Sequence, residues 1–246
     1  MKAPFSPKEL SSLLETTIRD LEFKPNPKLL YEPMEYILKL GGKRLRPLLV
    51  LLSYNLFKDD PEEIVLPALS VELFHNFTLI HDDIMDKAPV RRGEPTVHIK
   101  WNNNVGILSG DGMMVKAYEL LEDISGSLLP KVLKDFNKTA LEVCEGQQFD
   151  MDFESRALDN NPVTEDEYLD MIRLKTSVLF GFSMKLGALL ANQDEETADK
   201  LYETGVHMGL AFQLQDDLLD LYGGDKFGKL PGGDIINAKK TFMLVK

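Results

Sequence analysis

The sequence is poor in cysteine, in positive charge, in long apolar runs and in strand-like alternation, and each shortage excludes something. One cysteine, Cys144, in 246 residues rules out an intrachain disulfide and fits a reducing compartment. By the usual behaviour of a free thiol it is expected to be a small buried apolar side chain. Lys and Arg total 28 against 40 Asp and Glu, a net charge of −12, so the basic surface that nucleic-acid binding requires is missing. No run approaches the roughly 20 apolar residues that span a bilayer, which predicts no stable membrane insertion. The opening stretch MKAPFSPKELSSLL puts proline and charge where a signal peptide needs a continuous apolar segment, so a cytoplasmic location is expected. Linkers and low-complexity stretches are also lacking, and the expectation is a single domain over residues 1–246.

Helical spacing is what the chain has in quantity, and the expected fold class is all-α. Ser6-Pro7-Lys8-Glu9 reads as a capping box with proline at the first helical position, followed by Leu10, Leu13, Leu14, Ile18 and Leu21 at helical intervals. A second helix through Tyr36 should end near Gly41-Gly42, because paired glycines commonly terminate helices. The apolar run from Leu48 to Leu56 marks the next, and Pro61 restarts the chain into a long helix through Asp86. Pro89 and Gly93-Glu94-Pro95 signal a loop. Later helices are expected at about 105–123, 128–155, 164–191 and 195–222. A last one is expected from Asp234, a good N-cap.

Two acidic clusters echo each other, LIHDDIMD at 79–86 and QLQDDLLD at 213–220. On a helix advancing about 100° per residue, Asp82, Asp83 and Asp86 share a sector of roughly 100°, with Asp82 and Asp86 one turn apart. The same arithmetic holds for Asp216, Asp217 and Asp220. Carboxylates gathered at a helix C-terminus oppose the helix dipole and repel one another, so the arrangement costs stability unless cations occupy it. Magnesium, usually held by one or two carboxylates plus phosphate oxygens and waters, is the expected cation. Apolar neighbours crowd both clusters, which a solvated acidic surface would not need. The two therefore read as similar walls of one cavity.

Basic residues follow the same segments: Lys43, Arg44 and Arg46 after the double glycine, Arg91-Arg92 after the first cluster, Lys175 on a later helix, and Lys229, Lys239 and Lys240 after the second cluster. Arginine forks and lysine point charges suit phosphate oxygens, and flanking two metal-binding clusters they indicate one or two diphosphates.

These residues resemble the trans-type isoprenyl diphosphate synthase family, which includes the farnesyl and geranylgeranyl diphosphate synthases. The matching stretches are GGKRLRP at 41–47, HDDIMDKAPVRRG at 81–93, EGQQFD at 145–150, LKTS at 174–177, FQLQDDLLD at 212–220 and FGKLPGGDIINAKKT at 227–241, in the family's order. The resemblance implies an all-α isoprenoid synthase fold, a helical bundle around a deep central cavity and a homodimer. It implies head-to-tail condensation of isopentenyl diphosphate with an allylic diphosphate (dimethylallyl, geranyl or farnesyl), using three Mg2+ ions. Asp82, Asp86 and Asp216 then resemble metal ligands, with Asp83, Asp217, Asp220 and Asp234 acting through water or as outer support. Lys43, Arg46, His75 and Arg92 resemble the grip on isopentenyl diphosphate, and Arg91, Lys175, Lys229 and Lys239 the grip on the allylic diphosphate.

Thr176 and Gln213 match positions beside the reacting carbons, where their oxygens could stabilise positive charge, and Gln147 and Asp150 match a supporting motif. His75 lies seven residues before Asp82, roughly −20° around the helix and so on the cluster's face. Phe77 and Thr78, five and four residues before Asp82, match positions that set product length, and a product of fifteen or twenty carbons is expected. The family usually continues for several helices beyond the Lys-Lys-Thr motif, so the chain is expected to lack them. A non-catalytic subunit of a heteromeric synthase would have lost a cluster or its arginines. A terpene cyclase would carry an Asn/Ser/Glu-type motif in place of the second cluster, and a head-to-head condensing synthase would space its aspartates differently.

Overall fold

The computed structural model describes residues 5–156, 161–222 and 239–245, and among these the chain is helical apart from one two-stranded hairpin. It divides into two compact units, Met1–Leu129 with Leu186–Gln193, and Pro130–Lys185 with Asp194–Lys246.

The first unit opens with α1, Pro7–Asp20, whose capping box forms as the sequence dictates: the Ser6 hydroxyl accepts from Glu9 N–H while the Glu9 carboxylate accepts from Ser6 N–H at 2.8 Å. Helix α2, Lys28–Lys39, ends with Leu40 as its C-cap, just before Gly41 and Gly42, both at positive φ (75° and 137°). Helix α3, Leu45–Asn55, follows, and a 3-10 turn at Pro61–Ile64 leads into α4, Val65–Met85. α4 is the core of this unit, with Phe74 and Ile80 fully buried. Pro61–Met85 contains an 18-residue window, of mean hydropathy 1.3, that is by length and composition apolar enough to cross a membrane, which corrects the expectation that no run came near that limit. Of that window 67% is buried inside the fold, as in a core helix, and its apolar character is hidden in sequence by scattered polar residues such as Glu72 and Asn76.

The segment expected as a loop contains strands β1, Val90–Arg91, and β2, Glu94–Pro95, paired antiparallel. Their two connecting residues, Arg92 and Gly93, both have positive φ (55° and 83°), the requirement of the tight hairpin turn that matches strand twist. A short α5, Val97–Lys100, and α6, Asn103–Glu119, complete the unit, with α6 packed along α4.

The second unit contains all but the first two residues of α7, Leu128–Glu154; α8, Glu165–Ile172; the first part of α9, Val178–Leu190; α10, Glu195–Tyr222; and a single-turn α11, Phe242–Val245. The helix expected at 164–191 is broken by one wide turn of π-helix at Arg173–Ser177. Neighbouring helices explain the break. A Cβ on Gly146 of α7 would lie 2.2 Å from Lys175 N, and one on Gly209 of α10 would lie 2.5 Å from Ser177 Cα. Two glycines thus admit the swollen turn between two helices, a fit that local sequence cannot announce. Cys144 corrects the expectation of burial: it is exposed, because α7 turns Val143, Gly146 and Asp150 inward and leaves the next position outside.

Candidate active site

Each unit carries one acidic cluster at the C-terminal end of a long helix, and each cluster has its own set of cations. In the first unit the three carboxylates at the C-terminal end of α4, Asp86 being its C-cap, separate by role. Asp83 is buried and accepts both Nε and Nη2 of Arg91 (2.7 to 3.0 Å), a bidentate pair that the hairpin turn makes possible by folding the chain back over the helix end. Burial pushes the Asp83 carboxyl above its ordinary range, and Arg91 pulls the other way. Asp82 and Asp86 are half-exposed, and the Asp86 N–H closes the last turn on the Asp82 carbonyl at 2.8 Å.

Arg92 occupies the left-handed region, at a cost of about 1 kcal/mol. Its guanidinium donates to the Gly41 carbonyl, and a Cβ on Gly42 would lie 2.8 Å from that guanidinium, so the double glycine is both helix stop and arginine rest. Lys43 is exposed. Arg44, also left-handed, is not available to a ligand: it is buried and ion-paired with Glu72 at 2.6 Å. Arg46 Nη1 meets His75 Nε2 at 3.1 Å. Burial first, then Arg46, Arg91, Arg92 and Arg44, hold His75 well below its ordinary value, so the imidazole is neutral and accepts from Arg46. Burial lowers Arg46 to about 10. The Thr78 hydroxyl is occupied by the His75 carbonyl at 2.8 Å, and Phe77 is half-buried, meeting the His81 ring edge-on at 4.8 Å.

In the second unit Asp216 is half-exposed while Asp217 and Asp220 are buried. Asp217 accepts from the Tyr168 hydroxyl, from Phe242 N–H at 2.8 Å and from Gln213 Nε2 at 2.9 Å. Gln213 in turn accepts the Thr176 hydroxyl at 3.0 Å. Asp150, with Gln147 a turn earlier on α7, is buried and gathers two ammonium groups on one oxygen, Lys175 at 2.6 Å and Lys239 at 3.4 Å. Burial alone would raise Asp150; Lys175 and Lys239 outweigh it and hold the carboxyl below its usual range. Lys229 and Asp234 lie outside the described residues.

The structure therefore brings Arg46 to His75, Arg91 to Asp83, Lys175 and Lys239 to Asp150, and Thr176 to Gln213. Sequence reasoning missed Tyr168 and Glu72. A buried tyrosine needs a hydroxyl partner, but YLDMIRLKTS reads only as an amphipathic helix. Among the described residues no three His, Cys, Asp or Glu side chains are gathered so as to hold a metal ion by themselves.

A family model for polyprenyl synthetase matches residues 27–246, through both units, and the chain belongs to that family. It is 41% identical over 241 residues to a geranylgeranyl diphosphate synthase of Methanosarcina mazei, covering 97% of this chain and 73% of the relative. A short chain isoprenyl diphosphate synthase of Methanocaldococcus jannaschii is 46% identical over 218 residues, and there the match covers 88% of this chain and 65% of the relative. A crystal structure of a geranylgeranyl pyrophosphate synthase superposes with TM-score 0.93 at 48% identity, over 98% of this chain and 73% of that one. The isoprenoid synthase fold expected from the motifs is the fold of the chain.

Proposed function

We propose that the chain condenses isopentenyl diphosphate with an allylic diphosphate, head to tail, to make short-chain trans-prenyl diphosphates of fifteen or twenty carbons. The observation that carries this is the matched pair of helix ends, Asp82/Asp86 on α4 and Asp216 on α10, each backed by cations already ordered by a buried carboxylate, Asp83 or Asp150. Asp82, Asp86 and Asp216 would hold Mg2+, three ions in all. Their half-exposed, hard oxygens fit it, and magnesium, when bound, supplies positive charge to a departing diphosphate. The chain's own residues do the rest. Arg91, Lys175 and Lys239, with Lys229, orient the allylic diphosphate and take up the charge that develops as its carbon–oxygen bond breaks. Lys43, Arg46, His75 and Arg92 hold isopentenyl diphosphate so that its double bond faces the allylic carbon. The Thr176 and Gln213 oxygens face the cationic carbon, and the proton lost after carbon–carbon bond formation leaves with the released diphosphate.

The family match across residues 27–246 supports reading the two units as one synthase domain. A homodimer in the cytoplasm completes the proposal, on the strength of the motif resemblance and the composition. The test is product analysis after incubation with Mg2+, labelled isopentenyl diphosphate, and dimethylallyl, geranyl or farnesyl diphosphate in separate reactions. Extended diphosphates are expected. Binding of both substrates without extension would overturn the proposal in favour of a non-catalytic subunit.

A further inference from the structure

Asp217 sits inside an aspartate cluster whose first member is assigned to metal, yet its two oxygens are engaged by three neutral donors. The Tyr168 hydroxyl and the Phe242 backbone N–H converge on Oδ2, and Gln213 Nε2 donates to Oδ1 at 2.9 Å. Only 3% of Asp217 is exposed, and Tyr168 is fully buried in an apolar cluster with Phe153, Met171 and Ile172. Burial and the carboxylate beside it raise the phenol well above its ordinary value, so the hydroxyl remains a donor.

A carboxylate can only accept, so the amide of Gln213 has one permitted orientation: nitrogen toward Asp217, oxygen away from it. The oxygen then meets the Thr176 hydroxyl at 3.0 Å. We infer that Tyr168 is a positioning residue which, through Asp217, fixes the polarity of the Gln213 amide so that its carbonyl end, and not its N–H end, stands beside Thr176. This rests on the proposed reading in which the Thr176 and Gln213 oxygens face a carbocation. A reversed amide would place partial positive charge there instead. The same arrangement makes Asp217 an anchor for Gln213, set apart from Asp216.

Three measurements test this. In protein labelled at glutamine side chains, the Gln213 amide protons are expected to exchange slowly with solvent in the wild type and faster in Tyr168→Phe, which keeps the ring and removes the hydroxyl. This readout needs no turnover and stands whether or not the chain extends prenyl chains. In the extension assay, Tyr168→Phe should lower kcat about tenfold with KM for both substrates unchanged, the pattern of an interaction made only in the transition state. In a Gln213→Leu background the same change should have no further effect on kcat, since Tyr168 acts through that amide. Fast exchange of the wild-type Gln213 amide would overturn the inference even if Tyr168→Phe failed to fold. A drop in kcat as large without Gln213 as with it would do the same. An inactive wild type with a protected amide would sink the proposed function and leave the anchoring intact.

Discussion

At the scale of single residues, carboxylates that look alike in sequence have been given different tasks by burial. Asp82 and Asp86 stay partly exposed, whereas Asp83, next to Asp82, is buried against Arg91. Asp82→Ala should therefore lower kcat at least ~100-fold while the melting temperature hardly moves, since a half-exposed side chain at a helix end contributes little to packing. Full activity in that variant would remove Asp82 from the site. His75 gives a pH signature. Its folded value lies well below the unfolded 6.5, so folding excludes a proton that the unfolded chain takes up. The associated stability is complete above pH 6.5 and is lost as pH falls toward the folded value, by up to ~1.4 kcal/mol per pH unit. Denaturant midpoints at pH 7.5 and 5.5 should differ by less in His75→Gln, which has no titrating proton, than in the wild type. Phe77 closes a half-buried edge against Phe74 and His81. Phe77→Ala should lengthen the products by at least one five-carbon unit, read by chromatography of the dephosphorylated alcohols.

At the scale of elements, what could be read in advance was whatever is decided within a few residues. The Ser6–Glu9 capping box and the stop at Gly41-Gly42 involve neighbours only, and both stand where they were expected. The wide turn at Arg173–Ser177 is decided by Gly146 and Gly209, on two other helices, and was invisible for that reason. The same division holds for the candidate site. Charge and motif named its aspartates, arginines and lysines, but not that Asp83 would hold Arg91 or that Asp150 would gather Lys175 and Lys239, because those pairings depend on how the hairpin and α11 return. Tyr168 could not be found at all, since its partner Asp217 is 49 residues away. Gly146→Ala tests the element-level account: a methyl group 2.2 Å from a backbone nitrogen forces α7 away from the wide turn. A loss of ~1–3 kcal/mol in stability is expected, with reduced turnover because Lys175 moves with the turn. An unchanged denaturation curve would show that the close approach does not matter.

At the scale of the whole molecule, a net charge of −12 and two helix-end carboxylate clusters describe a chain that should accept anionic substrates only together with cations. Thermal unfolding should show it. Mg2+ alone or inorganic diphosphate alone should shift the melting temperature little, and both together should raise it, by an amount corresponding to about 2.7 kcal/mol when the ligand is at a hundredfold excess over its Kd. Equal shifts with diphosphate in the presence of Mg2+ or of a chelator would mean that the carboxylates hold no metal. The apolar character of α4 has another consequence, one that belongs to the chain before it folds. On a ribosome, with its partners α1, α3 and α6 not yet packed against it, this is, among the described residues, the segment most easily mistaken for a membrane anchor. The carboxylates at its exit, each costing up to ~3 kcal/mol toward the middle of a bilayer, oppose that error. The charges proposed to serve catalysis thus also help to keep the nascent helix in water until the rest of its unit arrives.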